Sequence, residues 1–253
     1  MSSLRRVWVV LLVLLSAAWA DETRRIQWKP RTGDRYDFSL GSTVNTEDTT
    51  QGREKETKHT ASVTGEIRIT EVDDDGEAKG VLRFRSIRAT LERGDKEVKI
   101  DLDEKELEGA SVEIEIRPAG GLSIDAADLD QVAPFVELAI HFAGLFFQLP
   151  EDPVKEDQEW ELDKGPITLK VRVRDIRSEG EDEIAFFEGT AKGKQSRAGA
   201  RAEARGKMTL EFNVTQGYLR LLDEEYSTKL TTNAGKVSLA MTRRVSVTKT
   251  RER

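Results

Sequence analysis

Few side chains in this 253-residue chain are suited to chemistry, and their spacing argues against most of it. With no cysteine and only two histidines, His59 and His141, thiol catalysis is excluded. A zinc site would have to gather both histidines and several carboxylates from distant segments. His59 lies in the polar run Lys58-His59-Thr60 and reads as a solvated strand residue, whereas His141, beside Phe142, reads as a semi-buried histidine with one satisfied nitrogen. Asp73, Asp74, Asp75 and Glu77 crowd a turn at Gly76, but the Asp-x-Asp-x-Asp-Gly spacing of a calcium loop is missing. A solvated hairpin turn is the expectation there.

Carboxylates are abundant, so a hydrolase built on a facing acid pair stays among the alternatives as the least favoured one. Most acids fall on every second residue of strand-like runs, where water is the usual neighbour. Nucleophile elbows, phosphate-cradling loops and paired-histidine motifs are absent. Gly189 to Gly193 does not have phosphate-loop spacing. Neither a metal nor a cofactor is expected. Trp28, Tyr36 and Trp160 are read as anchors tying sheet edges to the core rather than as sugar-stacking platforms. Lys192 to Arg205, without a large apolar residue, is read as a mobile hairpin tip.

The elements that must position these groups are mostly strands. Apolar and polar residues alternate strictly in many segments, the period-two pattern of a strand with one wet face. Tyr36, Phe38 and Leu40 show it, as do Val63, Ile67 and Ile69; Val98, Ile100 and Leu102; and Val112, Ile114 and Ile116. Leu169, Val171 and Val173 continue it, followed by Met208, Leu210, Phe212 and Val214, with a last strand from Val237 to Val247. Charges on alternate positions imply antiparallel pairing, because parallel sheets are covered on both faces. Short Gly, Asp and Asn clusters at 73–76, 93–95, 118–121, 178–181 and 233–236 supply hairpin turns and suggest a meander. Between Val81 and Leu91 the apolar phase slips from even to odd positions, which predicts a β-bulge near Arg85 and Ser86.

Two segments break the period. Residues 1–20 carry Arg5 and Arg6, the apolar run Val7 to Leu15, and Ala18-Trp19-Ala20, the form of a signal peptide cleaved after Ala20. The apolar run is short for a membrane span, so a secreted or periplasmic product with no integral membrane anchor is expected. Residues 126–148 show helical spacing, and from Phe135 to Leu149 only Glu137, His141 and Gln148 are strongly polar. This predicts one central apolar helix enclosed by a curved sheet, with Phe135, Leu138, Phe142, Leu145 and Phe146 lining any gap between them. The expected fold is thus mainly β (α+β): an antiparallel curved meander or half-barrel of about 10–12 strands around that helix. Residues 21–253 form a single domain in this reading, with halves 26–124 and 150–249 as candidate pseudo-repeats.

Gly33-Asp34-Arg35-Tyr36 opens the first set of strands, while Leu149-Pro150 and then Val154 to Trp160 open the second. In these motifs the chain resembles a family of exported bacterial proteins of unknown function, marked by Gly-Asp-x-Tyr, a central apolar helix, Leu-Pro and Val-x-x-Gly-Asp-x-Trp. Glu156 is set against the glycine of the last motif, with Asp157 and Trp160 as matches. In layout alone the chain is similar to periplasmic lipoprotein carriers and lipid-binding half-barrels, a likeness that implies an apolar or lipid-like ligand.

The formal net charge of −7, with both signs interspersed, disfavours nucleic acid as a partner. The functional expectation is a non-enzymatic exported binding protein, a carrier or sensor of an apolar molecule. An envelope structural or protein-interaction module without a small-molecule ligand is the alternative.

Overall fold

The computed structural model describes residues 23–50, 54–103, 105–107, 111–120, 122–124, 149–164, 167–197 and 200–250. Among the described residues, twelve strands make up one antiparallel sheet. The first six are β1 (Arg35–Asp48), β2 (Lys55–Val72), β3 (Ala78–Arg93), β4 (Lys96–Leu102), β5 (Ser111–Ile116) and β6 (Leu122–Ile124). The second six are β7 (Glu159–Lys164), β8 (Ile167–Glu179), β9 (Asp182–Arg197), β10 (Ala200–Asn213), β11 (Tyr218–Thr232) and β12 (Gly235–Thr250).

Across the sheet the order is β6-β5-β3-β2-β1-β12-β11-β10-β9-β8-β7, with β4 paired to β3 below β5. Each half of the chain is therefore a meander, and both run in the same direction across the sheet. They meet where β1 pairs β12 over their full lengths, Arg35 opposite Thr250 and Asp48 opposite Val237. The expected antiparallel sheet of about 10–12 strands is present, and the bulge falls at Arg85, between the pairs Thr64–Ser86 and Gly65–Phe84.

One face of the sheet carries the apolar phase of every strand. Tyr36, Phe38 and Leu40 of β1, Val63, Ile67 and Ile69 of β2, Leu82, Phe84 and Ile87 of β3, and Val171, Val173 and Phe187 of β8 and β9 all belong to one buried cluster. Burying each such side chain contributes about 1.5–3 kcal/mol, so the two halves are held together by one core rather than two. These residues gather at one end of the strands. That end is closed by chain lying across it: Ile26 and Trp28 of the N-terminal segment, and Leu149 and Val154, are all buried. Backbone bonds stitch the closure, Trp28 N to Pro118 O at 2.9 Å, Lys29 N to Gly217 O at 3.0 Å, and Arg24 paired with Val154.

Toward the other end the face opens. No described residue of 43–48, 54–60, 90–93, 200–207, 225–232 or 235–244 is buried. Glycines on the core face are forced by close packing: a Cβ on Gly65 would lie 2.6 Å from the Phe38 ring, and one on Gly189 2.6 Å from Met208 Cγ.

The central helix is not part of this picture. No α-helix occurs among the described residues, and the segment 126–148, with Phe135, Leu138, Phe142, Leu145 and Phe146, lies outside them. The described core is made of strand side chains together with Ile26, Trp28, Leu149 and Val154. Lys192 to Arg205 forms the end of a hairpin, with β9 and β10 in register from Ala191–Gly206 to Arg197–Ala200. Residues 1–22 lie outside the described chain, and among described residues no helix is long and apolar enough to cross a membrane.

Candidate functional site

The open half of the core-side face is the feature that internal packing leaves unaccounted for. Four large apolar residues are exposed among the described ones: Leu91 (44%), Val98 (58%), Ile100 (41%) and Leu230 (36%). Strand alternation puts all four on the same face as the core. Leu91 follows Ile87 and Ala89 in phase, Val98 and Ile100 are the cross-strand partners of Leu91 and Ala89, and Leu230 follows Leu222. Half-buried Val44, Met241, Tyr226 and Leu239 continue the surface between them. Scattered exposed apolar residues are ordinary, whereas a cluster on one face makes that face a candidate interaction surface.

His59 belongs to this surface, contrary to its reading as a solvated residue. It is half-buried, opposite Val44 on one side and Leu91 on the other, because its odd-numbered neighbours Ala61 and Val63 set the phase of β2. His141 lies outside the described residues.

Where the open face meets the closed core sits a buried ion pair. Glu224 is 7% exposed. It accepts a hydrogen bond from Arg243 Nε at 2.5 Å, and a second Arg243 nitrogen closes the pair. Tyr226 donates its hydroxyl to Glu224 Oε1 at 3.3 Å. Burial, and then the Glu224 carboxylate, push the Tyr226 phenol up to about 12. In register the pair lies in a cross-strand row with Ser42, Ala61, Ala89 and Met208. No sequence pattern marked it, since Glu224 and Arg243 are far apart in the chain and look like ordinary surface charges.

The Gly-Asp-x-Tyr motif is structural. Asp34 Oδ2 accepts hydrogen bonds from Arg31 N at 2.8 Å, Tyr36 Oη at 3.0 Å and Lys249 Nζ at 2.6 Å. It thereby fixes the turn into β1 and ties it to the end of β12. Burial and Asp34 together raise the Tyr36 phenol far above its ordinary range. The three aromatic anchors are core residues or pack on them: Trp28 edge-on to Phe212 with centroids 5.6 Å apart, Tyr36 against Tyr218 at 5.8 Å, and Trp160 edge-on to Phe187 at 5.8 Å.

Asp73 spends its carboxylate on the backbone of its own turn, accepting from Asp75 N at 3.0 Å and Glu77 N at 2.8 Å. No group of three or more His, Asp or Glu side chains among the described residues is placed to hold a metal ion.

No family model matches the chain. No curated protein matches it in sequence. Among solved structures it is similar to lipovitellin, in a structure described for lipid–protein interactions, with a TM-score of 0.51 and 9% identity over 88% of this chain. The chain spans about a quarter of that protein's length, 26%. OccK5 of Pseudomonas aeruginosa, matched at a TM-score of 0.29 and 7% identity, covers 88% of this chain and 100% of its own. DynF of Micromonospora chersina gives 0.22 and 8% over 90% of this chain and 86% of its own. The likeness to lipovitellin is one of fold.

Proposed function

We propose that this chain is an exported, non-catalytic binding protein that holds an apolar, lipid-like molecule against the open half of its core-side face. The observation that carries the reading is the placement of Leu91, Val98, Ile100 and Leu230 on that one face, beyond the closed core. Contiguous exposed apolar surface is costly in water and marks a binding surface. The fold likeness to lipovitellin, a protein described through its lipid interactions, supports the same choice of ligand. Export rests on residues 1–20, and the compartment proposed is the periplasm or the medium. Phe135, Leu138, Phe142, Leu145 and Phe146 enter as sequence-expected apolar contacts to the same ligand.

Native mass spectrometry of the purified chain, together with titration of an apolar fluorophore, tests the reading. Co-purifying lipid or saturable fluorophore binding is expected, and L91S/I100S lowers the affinity at least tenfold. Absence of both signals in a folded protein retires it. One observation favours a protein-interaction module instead: among the described residues β4 pairs only with β3 and carries Val98 and Ile100 at that edge. An exposed apolar edge is a template for an added strand. Capture of a defined envelope protein, lost on V98K, would support that second reading.

A further inference from the structure

The water-facing side of the sheet holds a basin of about 660 Å³ over the middle of β3, β2, β1, β12, β11 and β10. That volume lies within the range of small-molecule sites, about 300–1,000 Å³. Gly41 and Ser62 line it as cross-strand partners, and the adjoining row consists of four threonines on neighbouring strands, Thr90, Thr60, Thr43 and Thr242. Strand spacing repeats such hydroxyls about every 4.8 Å, close to the repeat of sugar rings along an extended glycan. Thr209, Arg88, Arg244, Lys207, Asp223 and Glu225 also line it, and between them it is lined by Ser42, Ala61, Met208, Glu224 and Arg243 of the core-side row.

Gly41 is the telling residue. Gly65, Gly80 and Gly189 have no room for a Cβ, but a Cβ on Gly41 would meet nothing within 4 Å. Nor does its backbone belong to the positive-φ set. A glycine inside a central strand forgoes β propensity, and it marks a point where something approaches the backbone closely. Nothing within the protein does so here.

The charges narrow the class of that visitor. Arg88 pairs with Asp101 at 3.0 Å, Arg244 with Asp223 at 3.6 Å and Lys207 with Glu225 at 3.0 Å. Arg243 of the lining pairs with Glu224, so each cation has its own acid, and with Asp101 just outside the lining the basin and its rim together carry no excess of either sign with which to attract an ion. What it offers is a dense alternation of donors and acceptors around hydroxyls, with planar guanidinium and carboxylate groups suited to paired hydroxyls. No aromatic side chain is among its lining residues, so stacking is not the means of recognition. We propose that the basin over Gly41 binds a neutral oligosaccharide, on the face opposite the apolar site and independently of it.

Calorimetric titration of the full chain with maltotriose, cellotriose and chitotriose tests this, with trigalacturonate and a chitosan trimer as charged counterparts. Saturable binding of at least one neutral trisaccharide is expected. G41W, which fills the basin, should weaken it at least tenfold. T43V/T242V removes two hydroxyls while keeping side-chain shape and strand propensity, and should weaken binding in the same direction without a change in melting temperature. This second variant decides the matter where G41W disturbs folding. Binding of charged trimers alone, no saturable binding of any neutral one, or neutral binding indifferent to T43V/T242V would each overturn the proposal.

Discussion

Asp157 carries at the start of β7 the backbone role that Gly33 carries at the start of β1. Both have positive φ, 62° and 90°. The amide of Gly33 donates to Ile69 O at 2.9 Å, and that of Asp157 to Val173 O at 2.8 Å. In the return direction Ile69 N bonds Asp34 O at 2.9 Å, and Val173 N bonds Gln158 O at 3.0 Å. The turn-capping oxygen is supplied by Asp34 in the first case and by Gln158 Oε1, 3.1 Å from Lys155 N, in the second. Each partner strand then bulges at the next residue, Thr70 and Arg174. The motif alignment is thereby corrected by one position: Asp157 stands in the place of the glycine and Gln158 in that of the aspartate.

Replacing Asp157 with glycine relieves a left-handed conformation that costs an L-residue roughly 1–2 kcal/mol, somewhat less for Asp. D157G is therefore expected to stabilise the protein by up to about 1 kcal/mol in urea denaturation. G33A, with open space around the added Cβ, should lose about 1–2 kcal/mol through its backbone alone.

The Glu224–Arg243 pair yields a sharper contrast. A buried pair broken on one side leaves an uncompensated charge and costs about 3–5 kcal/mol, whereas removal of both partners in favour of apolar residues is often neutral. The expectation is that E224Q and R243M each destabilise strongly while E224L/R243M recovers close to the wild-type midpoint. Equal losses in all three, measured by chemical denaturation, would show that the pair does not act as a unit.

Much of the sheet was legible because its cause is local. Alternation in residues such as Val112, Ile114 and Ile116 records a one-sided solvent boundary, and the phase slip around Arg85 records the bulge directly. What stayed hidden depends on distant chain. Val98 and Ile100 alternate as well as any core strand yet remain exposed, because β4 lies at an edge where little packs on it. The closure of the core by Ile26, Trp28, Leu149 and Val154 joins segments more than a hundred residues apart. Of the proposed apolar site the sequence offered only the expectation of a lipid-like ligand. The residues it named lie outside the described chain, and the face carrying Leu91 and Leu230 emerges only from strand pairing.

Core-face glycines should resist even the smallest addition. Alanine at Gly65 would press its Cβ against the Phe38 ring and the Arg83 carbonyl, and alanine at Gly206 would meet the ring of Tyr226. Overpacking of this kind typically costs 1–3 kcal/mol. G65A and G206A should each lower the melting temperature, and F38L should recover part of the G65A loss by withdrawing the ring.

Two of the three tyrosines tie stability to alkaline pH. The folded state holds the Tyr226 proton up to about 12, and Tyr36 is raised further by burial and Asp34. An unfolded tyrosine ionises near 10. Above that pH the unfolded chain has released protons that the folded chain still binds, so the stability gained from these groups is whole below about 10 and declines as pH rises through the folded value. Denaturation midpoints followed from pH 8 upward should fall beyond about 10. Y226F should flatten part of that decline, because no phenol then remains at this position to ionise in the unfolded state. A decline of equal steepness in Y226F and wild type would place the alkaline sensitivity elsewhere, with Y36F as the next variant to separate the two phenols.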